Sequence, residues 1–199
     1  LKVRVSGKQS HGSRPDQGCN AKLASSYLAL KIHELEKVFN AKDKMFEPSR
    51  STFEPTMQYQ NVSGVNIIPG DDVFCADCRI LPQYSLDQVC AEVNKIIRET
   101  EEIYGVKIQV EELQAEQSKA TSVESPVAKE LFEAIKNVHG IEPRFVGIGG
   151  GTVAAGLRNA GIDAVVWSTM DELAHQPNEY AIVKNIAKDA LTIAYMACR

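Results

Sequence analysis

The sequence predicts an α+β fold. A ferredoxin-like β-α-β-β-α-β domain covers residues 1 to about 115, and an α/β segment, 120–199, follows with too few strands to form a sheet alone. Three observations predict this. Four stretches before residue 115 read as strands, three of them by alternation of apolar and polar residues with period two. Two capped helical stretches separate those strands in the ferredoxin-like order. After a polar, aperiodic run at 114–121, helices alternate with two short, continuously apolar stretches.

Taken in order, residues 2–6 alternate as a strand, and a loop rich in Gly, Ser, Pro and Asp covers 7–18. Residues 20–38 carry Leu23, Tyr27, Leu28, Leu30, Ile32 and Leu35 at helical spacing, with Asn20 as N-cap. Residues 52–62 read as a strand despite Pro55, which places that strand at a sheet edge. Residues 73–81 form another strand, ended by Pro82. Ser85 with Gln88 is a capping-box pattern opening a helix to about residue 104, and 107–113 is the last strand of this domain.

Beyond the polar run, Ser125-Pro126 opens a helix to about 138, with Gly140 as its C-terminal stop. Strands are expected at 144–148 and 163–167, and helices at 152–159 and 179–196, with a right-handed parallel crossover between the strands. Parallel sheets are buried on both faces and have several strands. Residues 120–199 therefore read as the end of a larger α/β domain whose first strands are absent from this sequence. The opening Leu-Lys-Val-Arg-Val agrees, since alternation begins at once and no initiator Met precedes it.

Composition narrows the function. An apolar fraction of 44% suffices for packed cores, and a net charge of -4 provides no basic stripe for nucleic acid. No apolar run is long enough to span a bilayer, and the opening is not a basic-then-apolar leader. Five cysteines, Cys19, Cys75, Cys78, Cys90 and Cys198, fit a reducing cytoplasm better than a disulfide framework. Cys75 and Cys78 are spaced C-x-x-C, but on a strand positions i and i+3 face opposite ways, and no second pair completes a zinc site.

The residues that could carry chemistry lie in loops and at strand ends. His175, in the polar run after the 163–167 strand, stands where α/β enzymes place ligands and catalysts. His11 lies in an exposed Gly- and Pro-rich loop. Asn66 opens N-I-I-P-G before the strand bearing Asp77 and Arg79. Those two share a face, so an ion pair is the plain expectation and a carboxylate clamp the functional one. Gly147-Ile-Gly-Gly-Gly-Thr152 joins strand to helix. It lacks the G-K-[ST] of a phosphate loop and suits a tight turn or contact with a carboxylate or oxyanion. His33 on the first helix is expected to be a packing or solvated residue, and His139 stands at a helix end, where an imidazolium suits the dipole; neither is assigned a function.

S-H-G-S-R-P-x-x-G-x-N-A, N-I-I-P-G, D-C-R-x-L-P, G-I-G-G-G-T and A-H-Q-P-N-E occur in that order along the whole chain. Together they resemble the metallopeptidase and deacylase family that contains succinyl-diaminopimelate desuccinylase, acetylornithine deacetylase, aminoacylase and the glutamate-releasing carboxypeptidase. The resemblance implies that residues 1–115 are a lid that mediates homodimerisation. Residues 120–199 would be the C-terminal part of a zinc-peptidase-like catalytic domain. It further implies two zinc (or cobalt) ions in the intact enzyme, with His175 as the last metal ligand. His11 would reach across the dimer to stabilise an oxyanion. Asn66, Arg79, Gly150, Gly151 and Thr152 would bind a small N-acyl amino acid or peptide substrate.

The family's other metal ligands and its general-base glutamate lie in an N-terminal half that has no counterpart in this sequence. The parent is thus expected to hydrolyse an amide beside a carboxylate in the cytoplasm, without nucleic-acid or membrane partners. The isolated chain is expected to be inactive and to hold no zinc tightly, since one imidazole is too few ligands. Two rivals remain: a non-catalytic dimerisation or binding module, and a nucleotide-binding protein using 147–152.

Overall fold

The computed structural model describes residues 1–171, 173 and 176–198. Its elements are β1 (Lys2–Ser6), β2 (Ser10–His11), α1 (Ala21–His33), β3 (Thr52–Gln58), β4 (Ile67–Ile68), β5 (Asp71–Arg79), α2 (Leu86–Tyr104), β6 (Lys107–Glu111), α3 (Pro126–His139), α4 (Val153–Asn159) and α5 (Val183–Ala197). Single 3-10 turns occur at Pro15–Gln17 and Glu34–Lys37. The chain divides into two compact units. The first comprises Leu1–Gln117 with Ile148–Gly150, and the second Ser118–Gly147 with Gly151–Arg199.

In the first unit four strands form one antiparallel sheet in the order β3-β5-β1-β6. This is the ferredoxin-like arrangement, with α1 and α2 as its two helices. β1 is central, and its alternation works as expected: Val3 and Val5 are fully buried while Arg4 between them is exposed. Val3 lies opposite Phe74 of β5 and Val110 of β6, so three apolar side chains meet across the sheet. β3 is an edge strand, as Pro55 requires, and its pairing shifts register between Pro55 and Gln58. Phe53 from β3 is fully buried, stacked 5.6 Å from Phe39, which itself meets Tyr84 edge-on at 5.0 Å.

The helix caps form as local chemistry dictates. The Asn20 side chain accepts from the Leu23 N–H, and Ser85 with Gln88 closes a reciprocal capping box. α2 buries Val89, Val93, Ile97 and Thr100, one stripe at helical spacing, and stops at Gly105 in the left-handed region, φ 64°. α1 differs from expectation. Its packed face is Ala21, Ala24, Ser25, Leu28 and Ile32, while Leu23 and Leu30 are exposed. Small residues let the helix backbone lie close to the sheet, and that proximity outweighs the larger apolar side chains on the opposite side.

The second unit consists of helices joined by irregular segments. α3 has Ser125 as N-cap, Pro126 at its first position and Gly140 in the left-handed region, φ 67°. No strand forms at 144–148 or 163–167, which corrects the sequence expectation. A strand needs a neighbour to take its backbone hydrogen bonds, and among the described residues of this unit there is none. Ala164 shows the substitute: Thr121 Oγ1 accepts from its N–H at 3.1 Å and donates to its carbonyl at 2.7 Å, and Arg158 Nη1 also donates to that carbonyl. α4 and α5 begin at 153 and 183, later than the expected 152 and 179. No helix among the described residues is long and apolar enough to cross a membrane.

Candidate functional site

The first unit builds a polar ribbon from two segments far apart in sequence. The N-I-I-P-G run is stitched residue by residue to the loop that carries His11. The Gly12 N–H donates to Asn66 O at 2.7 Å, His11 pairs with Ile67 and Ser10 with Ile68. Ala21 N–H then donates to Pro69 O at 3.0 Å, and Gly7 N–H to Gly70 O at 2.7 Å. The glycines make this approach feasible. A Cβ at Gly70 would meet the Gln9 amide nitrogen at 2.8 Å, and one at Gly18 would meet Lys8 O at 2.7 Å.

This ribbon sets His11 beside Asn66. The Ser13 N–H donates to His11 Nδ1 at 3.2 Å, and the Ser13 hydroxyl is 2.8 Å from the same nitrogen. A backbone N–H can only donate, so Nδ1 is an acceptor and the neutral ring carries its proton on Nε2. Nε2 lies 3.4 Å from the Asn66 side-chain amide. With the proton on Nε2, that amide is best placed with its oxygen toward the ring, an assignment made from the hydrogen-bond network. The result is an exposed imidazole N–H, held in a defined tautomer and direction by its own loop. Ser13 was not singled out in the sequence, although it lies inside the S-H-G-S motif.

The loop 59–66 that delivers Asn66 is tied down by Asp72, whose side chain is fully buried. Asp72 accepts from Gln58 Nε2 at 2.8 Å and Asn61 Nδ2 at 2.5 Å, with the Lys22 ammonium 4.0 Å away. A buried carboxylate is tolerated when several donors surround it. Nothing in the sequence pattern marked this group, because its partners come from three elements.

Arg79, at the end of β5, is paired bidentately with Asp77 through Nε at 2.5 Å and Nη2 at 2.6 Å. The ion pair expected from their shared face therefore forms. The Asp77 hydrogen bond is the main cause that raises the Arg79 pKa above its ordinary value. Nη1 donates to Gly149 O at 3.1 Å, within the same unit. Two of the five guanidinium N–H groups remain for a further acceptor. Between these residues, burial pushes the Cys78 thiol up to about 11, with Asp77 and Cys90 adding to the rise. Cys75 and Cys78 lie on β5, and all five cysteines are free thiols.

Gly150 has room around it, since a Cβ there would meet only Ile148 Cγ2, at 3.8 Å. Gly151 precedes Thr152, the N-cap residue of α4, whose hydroxyl makes no capping bond. His139 packs edge-on against Trp167 at 5.1 Å, its Nε2 3.0 Å from Thr192 Oγ1. His175 lies outside the described residues. Among the described residues one group of three metal-capable side chains converges, His33, Glu36 and Glu54. It includes none of the residues expected from the motifs, so the described residues hold no cage for a two-ion centre.

Residues 1–105 match the peptidase dimerisation domain of M20 peptidases. The chain belongs to that family. It is 37% identical over 204 residues to a protein named as an uncharacterized metallohydrolase from Methanococcus maripaludis, covering 96% of this chain and 49% of that protein. It is 26% identical over 179 residues to succinyl-diaminopimelate desuccinylase of Wolinella succinogenes, covering 89% of this chain and 46% of that one. A tripeptidase from Staphylococcus aureus has the same fold, with TM-score 0.74 and 20% identity over 98% of this chain and 49% of that one. The chain spans about half the length of the curated relatives it matches.

Proposed function

We propose that this chain is the lid and C-terminal portion of a metal-dependent amidohydrolase or peptidase that cleaves an N-acyl or peptide amide beside a carboxylate. On this reading residues 1–115 are the homodimerising lid and residues 120–199 belong to the catalytic domain. The observation that carries it is the His11–Asn66 pair on its two-stranded ribbon, within residues that match a peptidase dimerisation domain. The metallohydrolase and desuccinylase names of the relatives support the reaction class. Exposed Leu23 and Leu30 on α1 supply apolar surface suited to self-association.

Two divalent ions, zinc or cobalt, would polarise the scissile carbonyl and activate water in the intact enzyme. The described residues do not form their cage, so the chemistry assigned to this chain concerns its own side chains. His11, with its proton held on Nε2, donates to the oxyanion that develops on the carbonyl. It reaches the partner subunit's substrate, and Ser13 fixes its direction. Asn66 and the remaining N–H groups of Arg79 receive the substrate carboxylate. Asp77 holds the guanidinium in place by occupying its Nε and Nη2. Gly150 and Gly151 let the substrate approach the backbone, and the uncommitted Thr152 hydroxyl adds a polar contact. His175 supplies one metal ligand.

In the full-length parent, His11→Ala should lower kcat by about 10²–10³-fold with KM little changed. An unchanged kcat sinks the assignment. The 199-residue chain alone should show no metal-dependent amidase activity. The family match also favours a purely dimerising module. Turnover of the parent and of a His175→Ala variant separates the two, with light scattering to check that both stay dimeric, since only an enzyme has activity for that substitution to remove.

A further inference from the structure

We infer that His33, Glu36 and Glu54 form a binding site for a divalent transition-metal ion on the first unit. One ligand atom from each lies within 4.8 Å of the others. Atoms bound tetrahedrally to one zinc at about 2.1 Å stand roughly 3.4 Å apart, so a shift of at most about 1.5 Å closes the set. Two separations are already close to that spacing. His33 Nδ1 is 3.7 Å from Glu54 Oε2 and 3.0 Å from the Phe53 carbonyl oxygen, to which the metal-free ring donates its Nδ1–H; an ion taking the place of that proton meets the carbonyl as a fourth donor. The set is one imidazole nitrogen, two carboxylates and a carbonyl, a mixture that suits zinc and its first-row neighbours, and the two carboxylates balance the ion's charge.

The scaffold under these side chains is rigid. His33 ends α1 beside fully buried Ile32, Glu36 follows nearly buried Leu35 in the 3-10 turn, and Glu54 follows fully buried Phe53 on β3. The spacing of His33 and Glu36, three residues apart, puts both on one side of the helix end. Glu36 supplies the observation that points to a ligand. Its Oε2 takes the Arg50 Nε at 3.2 Å, but its Oε1 is shut off from solvent with no hydrogen-bond partner. An anionic oxygen in that state lacks a cation or donor. The nearby lysines do not fill the place, because Lys31 and Lys37 both pair with Glu34. Binding at Nδ1 requires the tautomer with the proton on Nε2, which the exposed ring can present to water.

Four ligands with three from exposed or part-exposed positions give a modest site. A micromolar affinity is therefore compatible with the expectation that the isolated chain holds no zinc tightly. The test is a zinc titration of the 199-residue chain against a chromophoric chelator, with the fold checked by circular dichroism in EDTA. One equivalent should bind with micromolar Kd. Glu54→Gln and His33→Ala should each weaken it at least about tenfold, while His175→Ala leaves it within about threefold. Glu54→Gln alone decides should His33→Ala fail to fold, since Glu54 is exposed and the amide keeps its shape. Absence of stoichiometric binding, retention of wild-type affinity by Glu54→Gln, or loss of the bound zinc in His175→Ala overturns the inference.

Discussion

The two compact units solve the burial problem differently. The first has a sheet whose strands are all paired and a core that includes Phe53, Phe74, Leu28, Ile32, Val3 and Val5, each at most 2% exposed. Among the described residues, the apolar ones buried in the second are five alanines and Ile135, while Val153, Val183, Ile186, Leu191 and Ile193 stand exposed on its helices. Helix content is ample in both. A helix satisfies its own backbone and needs no neighbour to exist, whereas a strand and a large side chain need a partner surface. Where partner surface is present the first unit converts apolar composition into burial, and where it is not the second leaves the same kind of residue in water.

That contrast can be broken at several levels. The largest effect is expected on excision. Residues 1–117 alone should unfold in one cooperative urea transition, and 118–199 alone should melt without one. A sharp transition from the second piece would show that alanine packing suffices. Next, Phe53→Ala should cost the first unit about 3–5 kcal/mol, because a fully buried ring leaves a cavity beside Phe39. Urea midpoints check it.

A third test compares thiols. Cys78 is raised from 9.0 to about 11 chiefly by burial, so at any pH below 9 its thiolate fraction is about a hundredth of that of an unshifted thiol. Alkylation at pH 8, followed by peptide mass spectrometry, should modify exposed Cys198 first and Cys78 about a hundredfold more slowly. The same shift bears on stability. The folded thiol keeps its proton more firmly than the unfolded one, so its contribution is whole below pH 9 and fades as pH climbs from 9 toward 11. Smallest is the cap comparison. Ser85→Ala should cost about 1 kcal/mol through the lost capping box, and Thr152→Ala close to nothing, since its hydroxyl caps no N–H. Equal costs would show that Thr152 has a partner in solution.

Much of this was legible from local pattern. The Asn20, Ser85 and Ser125 caps, the glycine stop at 140, and the edge placement of the Pro55 strand follow from residues within a turn or two of one another. What escaped depends on distance. Leu23 and Leu30 looked like core because only the height of the sheet above α1 shows that alanines fit there instead. Residues 144–148 and 163–167 are apolar enough for strands, but strand formation is decided by what lies alongside. The motifs marked His11 and Asn66 singly, yet their pairing across 55 positions, the role of Ser13, and the Asp72 anchor appear only once β2 meets β4. Glu54 likewise joins His33 and Glu36 only because β3 runs past the end of α1.

Sequence alone determined the order of the two helices and the four main-sheet strands in the first unit, most of their caps, and the family to which the chain belongs, because those rest on near-neighbour sterics, hydrogen bonds and motif residues in fixed order. Tertiary structure decided which face of α1 is buried, which expected strands exist, which tautomer His11 holds and which carboxylates gather. Each of those depends on a dielectric, a donor or a packing surface supplied by chain that is distant in sequence.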